Sequence, residues 1–206
     1  DWYKEQSDKL AEKGLKIITA NWIYGDRHIL TKKLVKTPED VKGLKIRVPA
    51  NTIQVKGFEV LDAAPTPMAL GEVYTALQQG TIDGMEHTIP NLLAGKYYEV
   101  IKYVALDSHI KNTTVWLTGT EFFNSLTPEQ QKLLVDTGNE AGIYDTKLYF
   151  EAEKAAREEL EKLGVTFTEV DREEFKKKAA KFYELPEFTK IWSPNLYDTV
   201  KKAMTK

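Results

Sequence analysis

The chain has 206 residues, 42% of them hydrophobic and 29% charged, with a formal net charge of −2 and no cysteine. That is a globular composition with length enough for a real core. It excludes disulfides, thiol catalysis and cysteine-bound metals, and offers no basic stripe for nucleic acid.

No apolar run approaches the roughly 20 residues of a membrane-spanning helix. No signal peptide is visible, and the opening Asp1-Trp2-Tyr3 is the start expected of a mature or cut chain. Residues 4–13 read as a short helix stopped by Gly14, and residues 15–24 alternate as a strand. Gly25-Asp26-Arg27-His28-Ile29 reads as the place where that apolar run meets a turn. Thr37-Pro38-Glu39-Asp40 is a helix start, with Thr as N-cap and acids in the first turn. A strand at 44–48 ends on Pro49, and a helix follows at 51–62. Two prolines so close in Ala64-Pro65-Thr66-Pro67-Met68 argue against regular structure there. A helix is expected at 70–79, a strand-to-turn passage at 81–86, a helix at 88–97, and separate strands at 99–106 and 113–118.

Helix and strand therefore alternate, the pattern of an α/β sheet. Thr127-Pro128-Glu129-Gln130 then has the spacing of a capping box. No proline interrupts the chain from 128 to 163, and a helix of that length measures about 54 Å. Gly138 and Gly142 are the points at which it would kink or divide. A strand at 165–170 and helices around 172–183 and 195–204 complete the chain.

Two arginines carry the chemistry. Arg47 alternates with Ile46 and Val48, and Arg27 lies beside Gly25. A guanidinium held at a strand end presents a planar fork suited to a carboxylate or phosphate. The plain alternative is a solvated side chain with its stem laid on the sheet.

The passage Thr37 to Glu86 decides between them. TPEDVKGLKIRVPA, followed by PTPMALGEVYTALQQGTIDGMEH, strongly resembles the DctP-like solute-binding proteins of tripartite ATP-independent periplasmic (TRAP) transporters. Each motif is weak singly, but five in register across about fifty residues are specific. The resemblance implies a periplasmic-binding-protein-like α/β clamshell with a long helix running along both lobes. It implies a first lobe only partly present, since family members carry roughly a hundred residues more before this point. On that pattern, 1–24 is a residual first-lobe or hinge segment and 25–112 is the second ligand-binding lobe. Residues 113–150 give a first-lobe strand and the start of the long helix, and 151–206 its end with the C-terminal helices.

The resemblance also implies the site. Arg47 matches the arginine that grips the ligand carboxylate, and Arg27 matches one that often adds a second polar contact. His87 stands where the family commonly has asparagine, and Leu70 where it often has an aromatic ring. Trp22 and Trp116 are candidate cleft walls, although a strand tryptophan is more often core. A histidine touching the ligand, with its ordinary pKa of about 6.5, would strengthen anion binding as pH falls from about 8 to about 6.

The implied function is extracytoplasmic or periplasmic capture of a small organic acid for delivery to TRAP membrane subunits, without cofactor, metal or catalysis. Two alternatives stand beside it: a structural fragment, and a small hydrolase or lyase using His87 with Glu86 or Asp83. The strand at 113–118 is expected to leave Val115, Trp116 and Leu117 on an unpaired edge. A separate N-terminal polypeptide or self-association would cover them.

Overall fold

A computed structural model describes residues 2–204. Its backbone forms one six-stranded sheet in the order β3-β2-β4-β1-β5-β6. The strands are β1 (Leu15–Thr31), β2 (Lys45–Val48), β3 (Ala64–Pro67), β4 (Gly84–His87), β5 (Tyr103–Gly119) and β6 (Thr166–Thr168). The helices are α1 (Trp2–Glu12), α2 (Thr52–Glu59), α3 (Val73–Gln78), α4 (Ile89–Ala94), α5 (Thr120–Ser125), α6 (Pro128–Lys162), α7 (Arg172–Ala179), α8 (Pro186–Thr189) and α9 (Leu196–Met204). The α/β fold and its long helix are those the sequence leads one to expect.

Strands β1 and β5, of 17 residues each, form the spine as an antiparallel pair. Each is longer than the sequence suggests. Gly25-Asp26-Arg27 is not a turn: β1 runs through it with register shifts on either side, and Arg27 pairs with Ile110. The expected strands at 99–106 and 113–118 are one element. The gap between them is a bulge, because Arg27 pairs with Ile110 while Ile29 pairs with Ala105. An insertion of this kind bends the strand and re-aims its side chains without ending the ladder.

The proline-rich segment is regular after all. Ala64–Pro67 pairs in parallel with β2 at the sheet edge. Ala64 N–H donates to Leu44 O and Met68 N–H to Val48 O, so the two prolines fall where no ladder donor is needed. The passage before Glu86 also runs opposite to expectation, from turn into strand β4. The Thr37 start caps only a 3-10 turn, Pro38–Val41.

Alternation along the strands gives each face its own core. Leu30 packs with Val73, Leu77, Met85, Leu92 and Val104, closed by Ala156 and Leu160 of α6. Ile29 packs on the other face with Val41, Ile46, Val48, Phe58, Ala105 and Phe175. Full burial of such side chains contributes about 1.5–3 kcal/mol each.

Helix α6 opens on the expected capping box, with Gln130 N–H donating to Thr127 Oγ1 and Thr127 N–H to Gln130 Oε1. It then runs unbroken for 35 residues. Gly138 and Gly142 do not divide it; they let it lie close on the sheet. A Cβ at Gly138 would meet Thr19 at 2.9 Å and Trp116 at 3.0 Å, and one at Gly142 would meet Asn21 at 2.5 Å. The outer halves of β1 and β5 under this helix are thinly covered. Val115, Trp116 and Leu117 are 47%, 46% and 44% exposed, on the expected unpaired edge among the described residues.

Candidate functional site

The C-terminal ends of the parallel strands β2 and β4 carry Arg47 and His87. Ile46 and Val48 face the α2 side, so Arg47 between them faces the other. Arg47 pairs with Met85, and His87 lies two residues beyond Met85, so both side chains emerge on the same face. Ends of parallel strands are where open α/β sheets hold ligands.

Arg47 is 4% exposed, and its Nε and Nη2 donate to one acceptor, the Met68 carbonyl, at 3.0 and 2.8 Å. That carbonyl closes strand β3, so the proline-rich edge strand is what aims the guanidinium. A carbonyl is a dipole and not a counter-charge. Among the described residues Arg47 forms no ion pair. Burial pushes its pKa below the ordinary arginine value, against the attraction of Glu86. A guanidinium stays charged regardless, so a buried positive charge faces this end of the sheet with no hydrogen bond from its Nη1 among the described residues.

Arg27 behaves differently. Its Nε and Nη2 fork grips both carboxylate oxygens of Glu86, with Nη2 to Oε1 at 2.6 Å, and Nη2 also reaches Glu86 O at 3.2 Å. Glu86 is fully buried and also accepts from Gln54 Nε2 at 3.1 Å. The bulge in β5 folds Asp107 back onto β1, where Oδ1 accepts from Ile29 N–H at 3.1 Å. Asp107 Oδ2 lies 2.8 Å from His109 Nδ1, and His109 Nε2 lies 3.6 Å from Glu86. Burial alone would lower the His109 pKa, but Asp107 and Glu86 outweigh it and raise the value to about 9. Burial would likewise raise Glu86, yet His109 and Arg27 hold it below the usual carboxylate range. Two cations and two anions thus neutralise one another inside the fold.

His87 differs from the expectation of a titrating group. Its Nδ1 accepts the Thr88 backbone N–H at 2.9 Å, and burial, with Arg27 and Arg47 close by, lowers its pKa to about 4. It therefore stays neutral between pH 8 and 6. His28 is also lowered to about 4, chiefly by burial, with its Nδ1 taken by Ser108 N–H.

The other candidates separate. Trp22 and Trp116 meet each other edge to face at 5.8 Å, and Trp22 Nε1 donates to Thr19 Oγ1, in the outer part of the sheet beneath α6. Leu70 stands 43% exposed on a 3-10 turn, its carbonyl 3.5 Å from the Tyr97 hydroxyl. Asp83 Oδ2 accepts from Lys45 N–H, which leaves His87, Glu86 and Asp83 each with a different partner and no shared acid–base geometry. Sequence reading missed Asp107, His109 and Gln54. His109 reaches Glu86 from the bulged strand β5 and Gln54 from helix α2, while Asp107 meets His109, and no spacing signals those contacts.

The chain is thus a two-core α/β sheet spanned by one long helix, with a buried arginine at the strand ends that forms no ion pair among the described residues. The chain belongs to the bacterial extracellular solute-binding protein family 7, DctP, whose sequence model matches residues 1–190. It is 38% identical over 168 residues to the 2,3-diketo-L-gulonate-binding periplasmic protein YiaO of Escherichia coli, covering 81% of this chain and 51% of that protein. The crystal structure of a TRAP periplasmic solute-binding protein from Actinobacillus succinogenes with bound L-galactonate superposes with a TM-score of 0.88 at 41% identity. It covers 100% of this chain and 67% of that one. A second such protein, from Ochrobacterium anthropi with bound L-fuconate, gives a TM-score of 0.85 at 42% identity, over 98% and 66% of the two chains. The chain spans about half the length of the curated relatives it matches.

Proposed function

We propose that this protein is the extracytoplasmic, periplasmic binding component of a TRAP-type transporter, and that it captures a small sugar acid through its carboxylate and passes it to the membrane subunits. The observation that carries this reading is Arg47, a buried guanidinium held by one carbonyl and lacking a counter-ion among the described residues. An ionised carboxylate supplies the missing charge and two parallel acceptors. The relatives bind L-galactonate, L-fuconate and 2,3-diketo-L-gulonate, which are acids of one size class. Arg27 serves this site from behind, by fixing the end of β4 through Glu86.

The role is binding and not conversion, so a ligand should raise the thermal midpoint with the logarithm of its concentration above the dissociation constant and be recovered unchanged. Thermal scans against a panel of aldonates and uronates, with mass spectrometry of what is recovered, test it. A chemically altered acid would make the protein an enzyme, and no stabilisation by any acid would end the reading.

The outer face belongs to the same proposal. Val115, Trp116 and Leu117 are an exposed apolar surface on which a second copy of the chain would sit. Light scattering distinguishes self-association from a 23.5 kDa monomer, which would contradict this part.

A further inference from the structure

Among the described residues one carbonyl, that of Met68, accepts from Arg47, so whatever fixes that carbonyl fixes the charge. On the strand side Met68 is held by its own N–H, which donates to Val48 O at 3.1 Å. Beyond it the chain leaves the sheet through Ala69 into a 3-10 turn, Leu70–Glu72, whose leucine side chain is largely out of the core. A segment that leaves a sheet edge in this way has little burial to keep it still. Its Leu70 carbonyl has two donors: the Val73 N–H within the turn, and the buried Tyr97 hydroxyl across a long bond of 3.5 Å.

The end of α4 delivers the ring to this place. Gly95 caps that helix, and Lys96 takes a left-handed φ of 53° that turns the chain back. The ring of Tyr97 then lies across Gly95, where a Cβ would meet its Cε2 at 2.2 Å, so the glycine is what makes room for it. The body of the ring belongs to the core of Leu77, Leu92 and Ile101, and a phenylalanine would serve that packing equally well. The hydroxyl needs its own reason. With its proton given to Leu70 O, the phenol oxygen keeps only acceptor lone pairs. It also lies within electrostatic reach of Arg47: burial raises the Tyr97 pKa, and the guanidinium opposes that rise.

We infer that Tyr97 is a positioning residue for Arg47: its hydroxyl holds the Leu70 carbonyl, and with it the nearby Met68 carbonyl, in the place that aims the guanidinium at a ligand carboxylate. This rests on the carboxylate reading of Arg47 given above. The stretch from Met68 to Leu70 is gripped at both ends, by β2 through the Met68 N–H and by Tyr97 through Leu70 O. Releasing the second grip leaves the charge in the site and blurs its aim. A misaimed fork loses its directional hydrogen bonds to a carboxylate while the Coulomb attraction persists. An amino acid far from the ligand in sequence, and outside the strands that carry the arginines, thereby sets how well one of them binds.

Two measurements on Tyr97→Phe, which keeps the ring and its packing, test this. In the ligand-free protein, exchange of the Arg47 Nε–H with water, read by nitrogen-15 NMR, should speed up several-fold, because the Met68 carbonyl no longer stays over it. An exchange rate equal to the parent's would overturn the inference with no reference to ligand. Calorimetry with L-galactonate, or with the sugar acid that best stabilises the parent, should then give a dissociation constant about three- to tenfold above the parent's, the range for one neutral hydrogen bond. In an Arg47→Lys background the same change should move the constant by less than about twofold, since an ammonium on a flexible stem has no fork to aim. Equal losses in the two backgrounds would make the effect of Tyr97 a general structural one and overturn the inference, as would an unchanged constant in the Arg47 protein. No binding of any sugar acid by the parent would end the Arg47 reading and the ligand role of Tyr97 with it, while the exchange rate would still show whether Tyr97 holds the guanidinium.

Discussion

The two faces of the sheet treat a buried arginine in opposite ways. On the α2 face, Arg27 is closed by Glu86 and, with His109 and Asp107, belongs to a cluster that sums to zero charge. On the other face, Arg47 has a carbonyl and a neutral histidine for company. A buried charge that the protein neutralises holds the fold together. One left without a counter-charge among the described residues is the group proposed above to meet a ligand, because its desolvation is not offset by an ion pair there. Residue type alone does not distinguish the two; the presence of a counter-charge does.

Breaking the closed face should give the largest effect. Glu86→Ala leaves Arg27 as an unpaired buried cation and His109 with Asp107 as its one remaining acid, and should cost about 3–5 kcal/mol of stability in urea unfolding. A loss below about 1 kcal/mol would mean the cluster is not the internal pair described. Arg27→Lys replaces a fork by a point charge and should cost about 1.5–3 kcal/mol in the same measurement. Its effect should appear in stability first, and an effect confined to ligand affinity would move Arg27 to the binding face.

Proton linkage gives a smaller effect that sharpens the contrast, with slopes of at most about 1.4 kcal/mol per pH unit for each group. His109 is raised to about 9. Its contribution is complete below its unfolded value of about 6.5 and is lost as pH climbs toward about 9. His87 and His28 are lowered to about 4. Their neutral forms contribute fully above about 6.5, and that stability is lost as pH falls toward about 4. His109→Gln should therefore flatten the alkaline limb, and His87→Asn the acid one. The reverse assignment in pH-dependent unfolding would invalidate the charge states drawn for the two faces.

How much of this was legible in the sequence depends on how local the cause is. The place of Arg47 on a short strand could be read because that strand, its stop at Pro49 and the following motifs are contiguous. The long helix could be read for the same reason, since its cap lies within four residues. The role of Arg27 could not: its partner Glu86 is 59 positions away and is brought to it only by antiparallel pairing of β1 with β4. Nor could the continuity of β1 and β5, because Gly25-Asp26 imitates a turn while bulges absorb the extra residues. Pro65 and Pro67 misled for a related reason, as proline forbids a central strand but suits an edge whose position only the assembled sheet defines. Gly138 and Gly142 read as weak points when the helix is considered alone. Against Trp116, Thr19 and Asn21 they are what allows it to pack.

The most direct test of the central claim is calorimetric titration of Arg47→Lys with L-galactonate, or with whichever sugar acid gives the largest thermal stabilisation of the parent. Lysine keeps the charge but loses the fork, so the dissociation constant should rise by at least about tenfold, equivalent to about 1.4 kcal/mol, with the unfolding midpoint of the ligand-free protein essentially unchanged. An unchanged dissociation constant in a folded Arg47→Lys protein would contradict the account, because the one buried charge argued to await a carboxylate would then have no part in holding it.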